Sequence, residues 1–235
     1  MKIYDALQAR NQPRLAETAT PLRRLPGAVR DVRLRPEDLV SLYQTAAASL
    51  PKGAPPVFQV MSARPGEGTS TIARALSLAV AETTGRRVLL LQITATRQRR
   101  SETDDRPGLE AALRGELDIE KALSKPGDEP LFIASLAGES VAGQAGPMSL
   151  RELLERLGAT MAVIIIDAPA ALTDFAGLAT VALVGGVLLV VEAERTRSPI
   201  VREAKRLIEA NGGRILGVVL NKRRRYIPRI IYRWL

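Results

Sequence analysis

Two short stretches of the sequence combine residue types that bind phosphate and divalent cations. The first, SARPGEGTST at residues 62–71, follows an apolar run and precedes a helical pattern. The second, VIIIDAPA at residues 163–170, places Asp167 at the end of another apolar run. Glycines before a helix start expose backbone N–H groups to an anion, and a carboxylate after a buried strand can order magnesium. Together the two stretches predict a nucleotide-binding site.

The first stretch fits the pattern G-x-x-x-x-G-K-[ST] with two departures, and we call residues 63–69 the phosphate loop. Ala63 stands in place of the first glycine, and Thr69 stands in place of the lysine. Gly66 and Gly68 still let N–H groups converge on an anion, and Ser70 occupies the position of the magnesium-binding hydroxyl. The alternative is a plain glycine-rich turn in which Thr69 or Ser70 caps the helix. For Asp167, the alternative is a strand-end aspartate that caps the next turn.

Composition excludes several kinds of chemistry. The chain has neither cysteine nor histidine, which rules out disulfides, thiolate metal sites and catalysis by an imidazole. No run approaches the roughly 18 apolar residues of a membrane span, and the first residues lack the apolar core of a signal peptide, so we expect a cytoplasmic chain. Much of the net charge of +9 lies at the carboxyl end, where Lys222 begins a run rich in arginine.

The order of the elements predicts an α/β fold, a doubly wound and mostly parallel sheet with helices on both faces. The apolar runs predict strands at 57–62, 88–93, 131–136, 161–166, 186–191 and 215–220. Helical patterns lie at 36–49, 70–84, 108–114, 149–158, 174–183 and 198–211. We expect three parts: a flexible arm over 1–35, an NTPase-like domain over 36–221 and a basic tail over 222–235. Ligands of such sheets bind beyond the carboxyl ends of the strands.

Several ordered segments resemble the bacterial tyrosine kinases of exopolysaccharide and capsule biosynthesis (CpsD/CapB type), relatives of the MinD/ParA-like P-loop ATPases. The likeness covers roughly residues 37–235. It rests on PGEGTST for PGEGKST, VLLLQIT for VLLIDAD, GLEAALRGE, VIIIDAPA for VIIDTPP, GVLLVVEAERTR and GVVLNKRRRYIPR. The resemblance implies a P-loop protein that binds ATP or ADP with Mg²⁺ and works beside a membrane-embedded polysaccharide co-polymerase. It also implies self-association into a homo-oligomer and a position at the inner face of the cell membrane.

The resemblance assigns site residues by position. Asp167 becomes the Walker B acid and the catalytic candidate, and Ser70 and Asp167 become the metal ligands. Asn221 is placed against the adenine, and Arg64 falls where MinD/ParA relatives carry their second lysine. The expected nucleotide-binding residues are Arg64, Gly66, Glu67, Gly68, Thr69, Ser70, Thr71 and Asn221.

The departures from the family pattern fall at its reactive positions. Besides Thr69, two aspartates of the Walker A′ segment are replaced by Gln92 and Thr94. The family's oligomerisation pattern, a glutamate followed by two arginines, would fall at Glu37, Val40 and Tyr43, where neither arginine is present. We therefore expect a weak nucleotide binder with reduced or no kinase activity. Arg97, Arg99 and Arg100 either face the site as additional positive charges or are solvated.

The tail interleaves arginines with aromatic and aliphatic residues. Tyr226 and Tyr232 are the tyrosines available there for phosphorylation. Such a segment suits an anionic membrane surface or the cytoplasmic ends of a membrane partner, and its apolar residues could instead cover the core. We do not expect nucleic acid as a partner, because the sequence contains no recognisable nucleic-acid-binding module beside the tail. Two other functions stay open: an active autokinase or ATPase that uses Arg64, and a MinD/ParA-like positioning ATPase.

Overall fold

A single parallel sheet organises the protein. The structure is a computed structural model that describes residues 35–50, 56–94, 108–142 and 148–223. Within these residues, six strands pair in the order β3-β2-β4-β1-β5-β6, and every neighbouring pair is parallel. The strands are β1 (Val57–Ser62), β2 (Val88–Thr94), β3 (Leu131–Ala137), β4 (Val163–Asp167), β5 (Gly186–Glu192) and β6 (Ile215–Asn221). This arrangement confirms the predicted fold class.

Helices lie on both faces of the sheet, as the alternating pattern predicted. They are α1 (Pro36–Ala48), α2 (Thr69–Thr84), α3 (Leu109–Leu113), α4 (Gly138–Ala142), α5 (Leu150–Thr160), α6 (Phe175–Ala179) and α7 (Ser198–Ala210), with a 3₁₀ turn at Ile119–Ala122. Helices α1 and α2 pack on one face of the sheet, and α3, α5, α6 and α7 pack on the other. The core therefore consists of two apolar layers that share one sheet.

The central strands are buried on both faces. Every residue of β1 and β4 is buried, whereas β6 at the edge is only partly covered. Val218 and Leu220 on β6 are more than half exposed. Continuous apolar runs therefore mark the centre of the sheet, as expected for strands covered by helices.

Several predicted boundaries differ from the observed ones by one or more residues, and two of the differences have an identifiable cause. Strand β4 begins at Val163 rather than at 161, because the N–H of Met161 still donates to Leu157 O and closes helix α5. Helix α6 ends at Ala179 rather than at 183. There the hydroxyl of Thr180 turns inward and donates to Gln59 Oε1 at 2.8 Å and to Gly177 O at 3.0 Å.

Helix α1 shows what replaces the missing arginines of the oligomerisation pattern. Val40 and Tyr43 are partly buried and pack against the core layer beneath α1. The Tyr43 ring meets the Phe58 ring edge-on, with the centroids 5.8 Å apart. These two positions therefore contribute to packing within the chain.

Candidate nucleotide site

The phosphate loop joins the end of β1 to the start of α2 and adopts the shape of an anion-binding turn. Gly66 has φ +84° and Gly68 has φ +96°, both in the left-handed region that favours glycine. Gly68 is the N-cap of α2, and its carbonyl accepts from the N–H of Ile72 at 3.0 Å. Neither Thr69 nor Ser70 caps the helix, so the alternative of a simple side-chain cap is wrong. The amino end of a sixteen-residue helix is left facing the loop.

A buried carboxylate holds the loop from within. Glu67 is only 2% exposed, and its Oε2 accepts from the N–H of Arg64 at 2.9 Å. Its Oε1 accepts from the hydroxyl of Thr196, which lies in the turn between β5 and α7. The Glu67 side chain therefore stabilises the loop, and only its backbone N–H is left for the predicted contact with a nucleotide.

Two residues at the end of β6 contact the loop from the other side. Asn221 Nδ2 donates to Glu67 O at 2.9 Å, and a Cβ on Gly68 would lie 2.1 Å from that nitrogen. Lys222 Nζ donates to Gly66 O at 2.6 Å and pairs with Glu192 Oε2 at 3.3 Å. The sequence prediction placed Lys222 in the basic tail because of its charge. In the structure its side chain contacts the phosphate loop.

Thr69, at the lysine position, forms a hydrogen bond at the base of the loop. Its hydroxyl donates to Ser62 Oγ at 2.8 Å, and the Ser62 hydroxyl donates to Arg64 O at 2.9 Å. Ser62 is almost fully buried. The Thr69 side chain thus closes the two ends of the loop on each other and presents no positive charge to a ligand.

Asp167 lies where the sequence predicted, at the carboxyl end of β4 beside the start of α2. Gln92 is its register partner on β2, and Ser70 lies near its carboxylate in the first turn of α2. Burial raises the pKa of Asp167 above its ordinary value, whereas Ser70, Gln92 and the positive charge of Arg74 act in the opposite direction. The predicted pair of Ser70 and Asp167 is therefore brought together.

The other predicted residues fall into two groups. Arg64 in the loop and Ser70 in the first turn of α2 are exposed, and Thr71 is half-buried. The remaining positions lie outside the described residues, as do the arm over 1–34 and the rest of the tail; they are Arg97, Arg99, Arg100, Tyr226 and Tyr232.

Sequence reasoning missed three side chains of the site. Lys222 and Thr196 follow the ends of β6 and β5, so the rule that ligands bind at the carboxyl ends of strands pointed to both. Arg74 lies four residues after Ser70 in α2, which places the two side chains on one face of the helix. Helical spacing was the signal for Arg74.

Ser70 and Asp167, the predicted magnesium ligands, lie close enough for Ser70 to affect the Asp167 carboxylate. Magnesium prefers oxygen ligands in octahedral geometry. Within the four described segments, no group of three or more Asp, Glu, His or Cys residues could hold a metal ion.

The chain has the α/β fold of the P-loop NTPase class, similar to the fold of the MinD ATPase from Pyrococcus furiosus. MinD from Pyrococcus horikoshii OT3, solved with Mg-ADP, is 22% identical at a TM-score of 0.55 and covers 74% of each chain. Within this class, other structural neighbours are bacterial tyrosine kinase domains, which confirms the resemblance read from the sequence.

Two of those neighbours reach about a quarter identity. The chimerical protein CapA2B2 has a TM-score of 0.69 at 25% identity, over 80% of this chain and 85% of its own. The VpsO kinase domain has a TM-score of 0.65 at 26% identity, over 79% of this chain and 94% of its own. No protein-family model matches the sequence, and a search of curated proteins finds no match. No helix among the described residues is long and apolar enough to cross a membrane.

Proposed function

We propose that the protein is a tyrosine-kinase-like regulator of exopolysaccharide or capsule biosynthesis and export. It acts with a membrane polysaccharide co-polymerase, binds ATP or ADP weakly, and transfers phosphate slowly or not at all. One observation carries this proposal: the phosphate loop keeps its shape while its lysine position is the neutral Thr69, bonded to Ser62. Similarity to tyrosine kinase domains supports the choice of family.

Binding depends on backbone groups that this chain retains. The N–H groups around Gly66 and Gly68 and the amino end of α2 attract the terminal phosphates. A charged hydrogen bond contributes roughly 1.5–3 kcal/mol, so without the lysine the affinity is about 10- to 150-fold lower. A nucleotide that is present at millimolar concentration still occupies a site of this lower affinity.

The missing lysine lowers the rate of phosphate transfer more than it lowers nucleotide affinity. A missing donor at the transferring phosphoryl group commonly costs about 100- to 1,000-fold in rate. Gln92 and Thr94 are neutral and cannot accept the proton of an attacking hydroxyl. Asp167 is the remaining acid of the family pattern, and burial raises its pKa.

The site of action is the inner face of the cell membrane. The arginine-rich segment after Lys222 supports this location, because each basic residue near an anionic surface contributes about 1 kcal/mol. The same segment suits the cytoplasmic ends of a membrane partner. Co-purification of the tagged protein with a co-polymerase encoded by a neighbouring gene tests the partnership.

The kinase test uses purified protein, radiolabelled ATP and magnesium, followed by mapping of any labelled tyrosine. We expect little or no label at Tyr226 and Tyr232. Label at either residue that disappears in Asp167→Asn would contradict the regulatory proposal. It would favour an autokinase in which Arg64, exposed on the phosphate loop, replaces the lysine.

A MinD/ParA-like positioning ATPase is the remaining candidate, favoured by the similarity to MinD in fold. Sedimentation with anionic liposomes and with DNA, each at two salt concentrations, separates the candidates. DNA retention that weakens steeply with salt, without association with a co-polymerase, would favour the positioning function. We expect salt-sensitive retention on liposomes alone.

A further inference from the structure

We propose that the tail of this chain docks on the open edge of the sheet, where residues 229–235 form an antiparallel strand beside β6. The docking surface consists of the outer edge of β6 and the exposed side chains of Val218 and Leu220, which we call the exposed pair. The occupant is the chain's own tail. This inference does not depend on nucleotide binding at the phosphate loop.

The two edges of the sheet differ in what covers them. At the outer edge of β3, Ser124 and Ile133 exchange two backbone hydrogen bonds of 2.8 and 2.7 Å in an antiparallel bridge. At the other edge β6 is the last strand, and none of the described residues pairs with its outer side. An edge strand offers a row of N–H and C=O groups to any extended chain, and natural edges are often protected by charges or proline. The β6 sequence, ILGVVLN, contains neither.

The exposed pair lies on one face of the sheet. Val218 is 53% exposed and Leu220 is 58% exposed. Their register partners on β5, Leu189 and Val191, belong to the core layer that contains α7. Because side chains alternate along a strand, register partners share a face, and the exposed pair extends this layer beyond its covered part. A further strand beside β6 would bring apolar side chains against both residues.

The tail begins beside this edge and is long enough to cover it. The chain leaves β6 through Lys222, whose φ of +57° lies in the left-handed region used by hairpin turns. Residues 222–228 are rich in arginine and end at Pro228, which suits a connecting loop. The seven residues after Pro228 suffice to pair along β6, which also has seven. A loop of this length joins antiparallel neighbours, whereas a parallel strand needs a crossover of about a dozen residues or more.

The sequence of the tail alternates as an edge strand requires. In RIIYRWL at 229–235, Ile230, Tyr232 and Trp234 share one face, and the two arginines lie on the other. Isoleucine, tyrosine and tryptophan favour strands, and an antiparallel edge strand is common on an otherwise parallel sheet. With the first face beside the exposed pair, apolar area is buried and both arginines stay in solvent. The arginines thus remain available to the membrane surface of the proposed function.

Trp234 is the single tryptophan of the chain, so its fluorescence tests the position of the tail without any substitution. The experiment measures the emission maximum and acrylamide quenching of the full chain in buffer and in urea. We expect blue-shifted emission and severalfold weaker quenching in buffer, because β6 shields the indole ring. Equal quenching in both, with the protein folded in buffer by circular dichroism, would overturn the inference. Shielding that appears only with anionic vesicles would also overturn it and leave the proposed function intact.

Variants locate the shielding at β6. Leu220→Asp places a charge within the docking surface, so we expect the quenching of Trp234 in buffer to approach its value in urea. Phe175→Asp is the matched control, because it removes another exposed large apolar side chain, on α6, and should leave quenching unchanged. Equal effects of the two substitutions would contradict docking at β6.

Engineered disulfides distinguish the chain's own tail from that of a second copy. The chain has no cysteine, so each pair is unambiguous. Pairing of 229–235 along β6 places Ile230 opposite Leu220 and Ile231 on the other face. Leu220→Cys should therefore form a disulfide within one chain with Ile230→Cys and little with Ile231→Cys. A disulfide between two chains would show that a second copy occupies the edge, and equal yields would show that the tail is not paired as a strand. Either result would overturn the inference.

Discussion

At the scale of single residues, the two glycines of the phosphate loop have the same backbone conformation but different surroundings. Gly68→Ala introduces left-handed strain and also pushes Asn221 off Glu67 O, so we expect a loss of about 2–4 kcal/mol in unfolding free energy. Gly66→Ala adds strain alone, about 1–2 kcal/mol, because nothing lies within 4 Å of its Cβ. Urea unfolding measures both, and equal losses would contradict the role given to Asn221.

Thr69 is the residue at which charge can be returned to the loop. Thr69→Lys should raise the affinity for ADP about 10- to 150-fold, because a charged donor then reaches the phosphates. Isothermal titration calorimetry gives the affinity directly. Thr69→Met, similar in length but neutral, is the matched control and should bind no better than wild type. A gain in the methionine variant would show that the Thr69–Ser62 bond, not the missing charge, limits binding.

At the scale of elements, the loop is joined to the turn after β5 through one buried hydrogen bond. Thr196→Val removes the hydroxyl that Glu67 accepts from and leaves a buried carboxylate one partner short, which costs about 1–3 kcal/mol. Thr45→Val, on the exposed side of α1, removes a comparable hydroxyl that bonds only within its own helix. Chemical denaturation compares the two, and a similar loss in both would contradict the structural role of Thr196.

The bounds of helices and strands were predictable from the sequence where the pattern of apolar residues alone determines them. The apolar runs gave β1 its bounds and placed the other five strands within two residues, because most residues of each strand are apolar. Helix α6 was predicted too long because its end depends on Thr180 reaching Gln59, a partner far away in sequence. Lys222 was misplaced for the same reason, since its partner Gly66 belongs to another element.

At the scale of the whole molecule, the two core layers share one sheet and should unfold together. Leu89 and Leu90 are fully buried neighbours on β2 that face opposite layers. We expect Leu89→Ala and Leu90→Ala each to cost about 2–5 kcal/mol in one cooperative transition. Thermal unfolding followed by circular dichroism and by intrinsic fluorescence checks this. Two separate transitions in either variant would show that the layers unfold independently.

The buried carboxylate links global stability to pH. Because burial raises the pKa of Asp167, the folded state retains a proton that the unfolded state releases above about pH 4. Stability contributed by this group therefore falls as pH rises from there through the folded-state pKa. Asp167→Asn cannot ionise, so its stability relative to wild type should increase between pH 4 and pH 7.

Urea unfolding at several pH values measures this difference. Asp128→Asn, which removes an exposed carboxyl, is the control for the loss of one negative charge at the surface. A difference that shrinks toward neutral pH would mean that Arg74, Ser70 and Gln92 outweigh the cost of burial.

Three residues hold the phosphate loop through hydrogen bonds: Thr196, Asn221 and Lys222. None of them is a position at which the sequence departs from the family pattern. Changes at Gln92 or Thr94 therefore leave these three contacts with the loop in place.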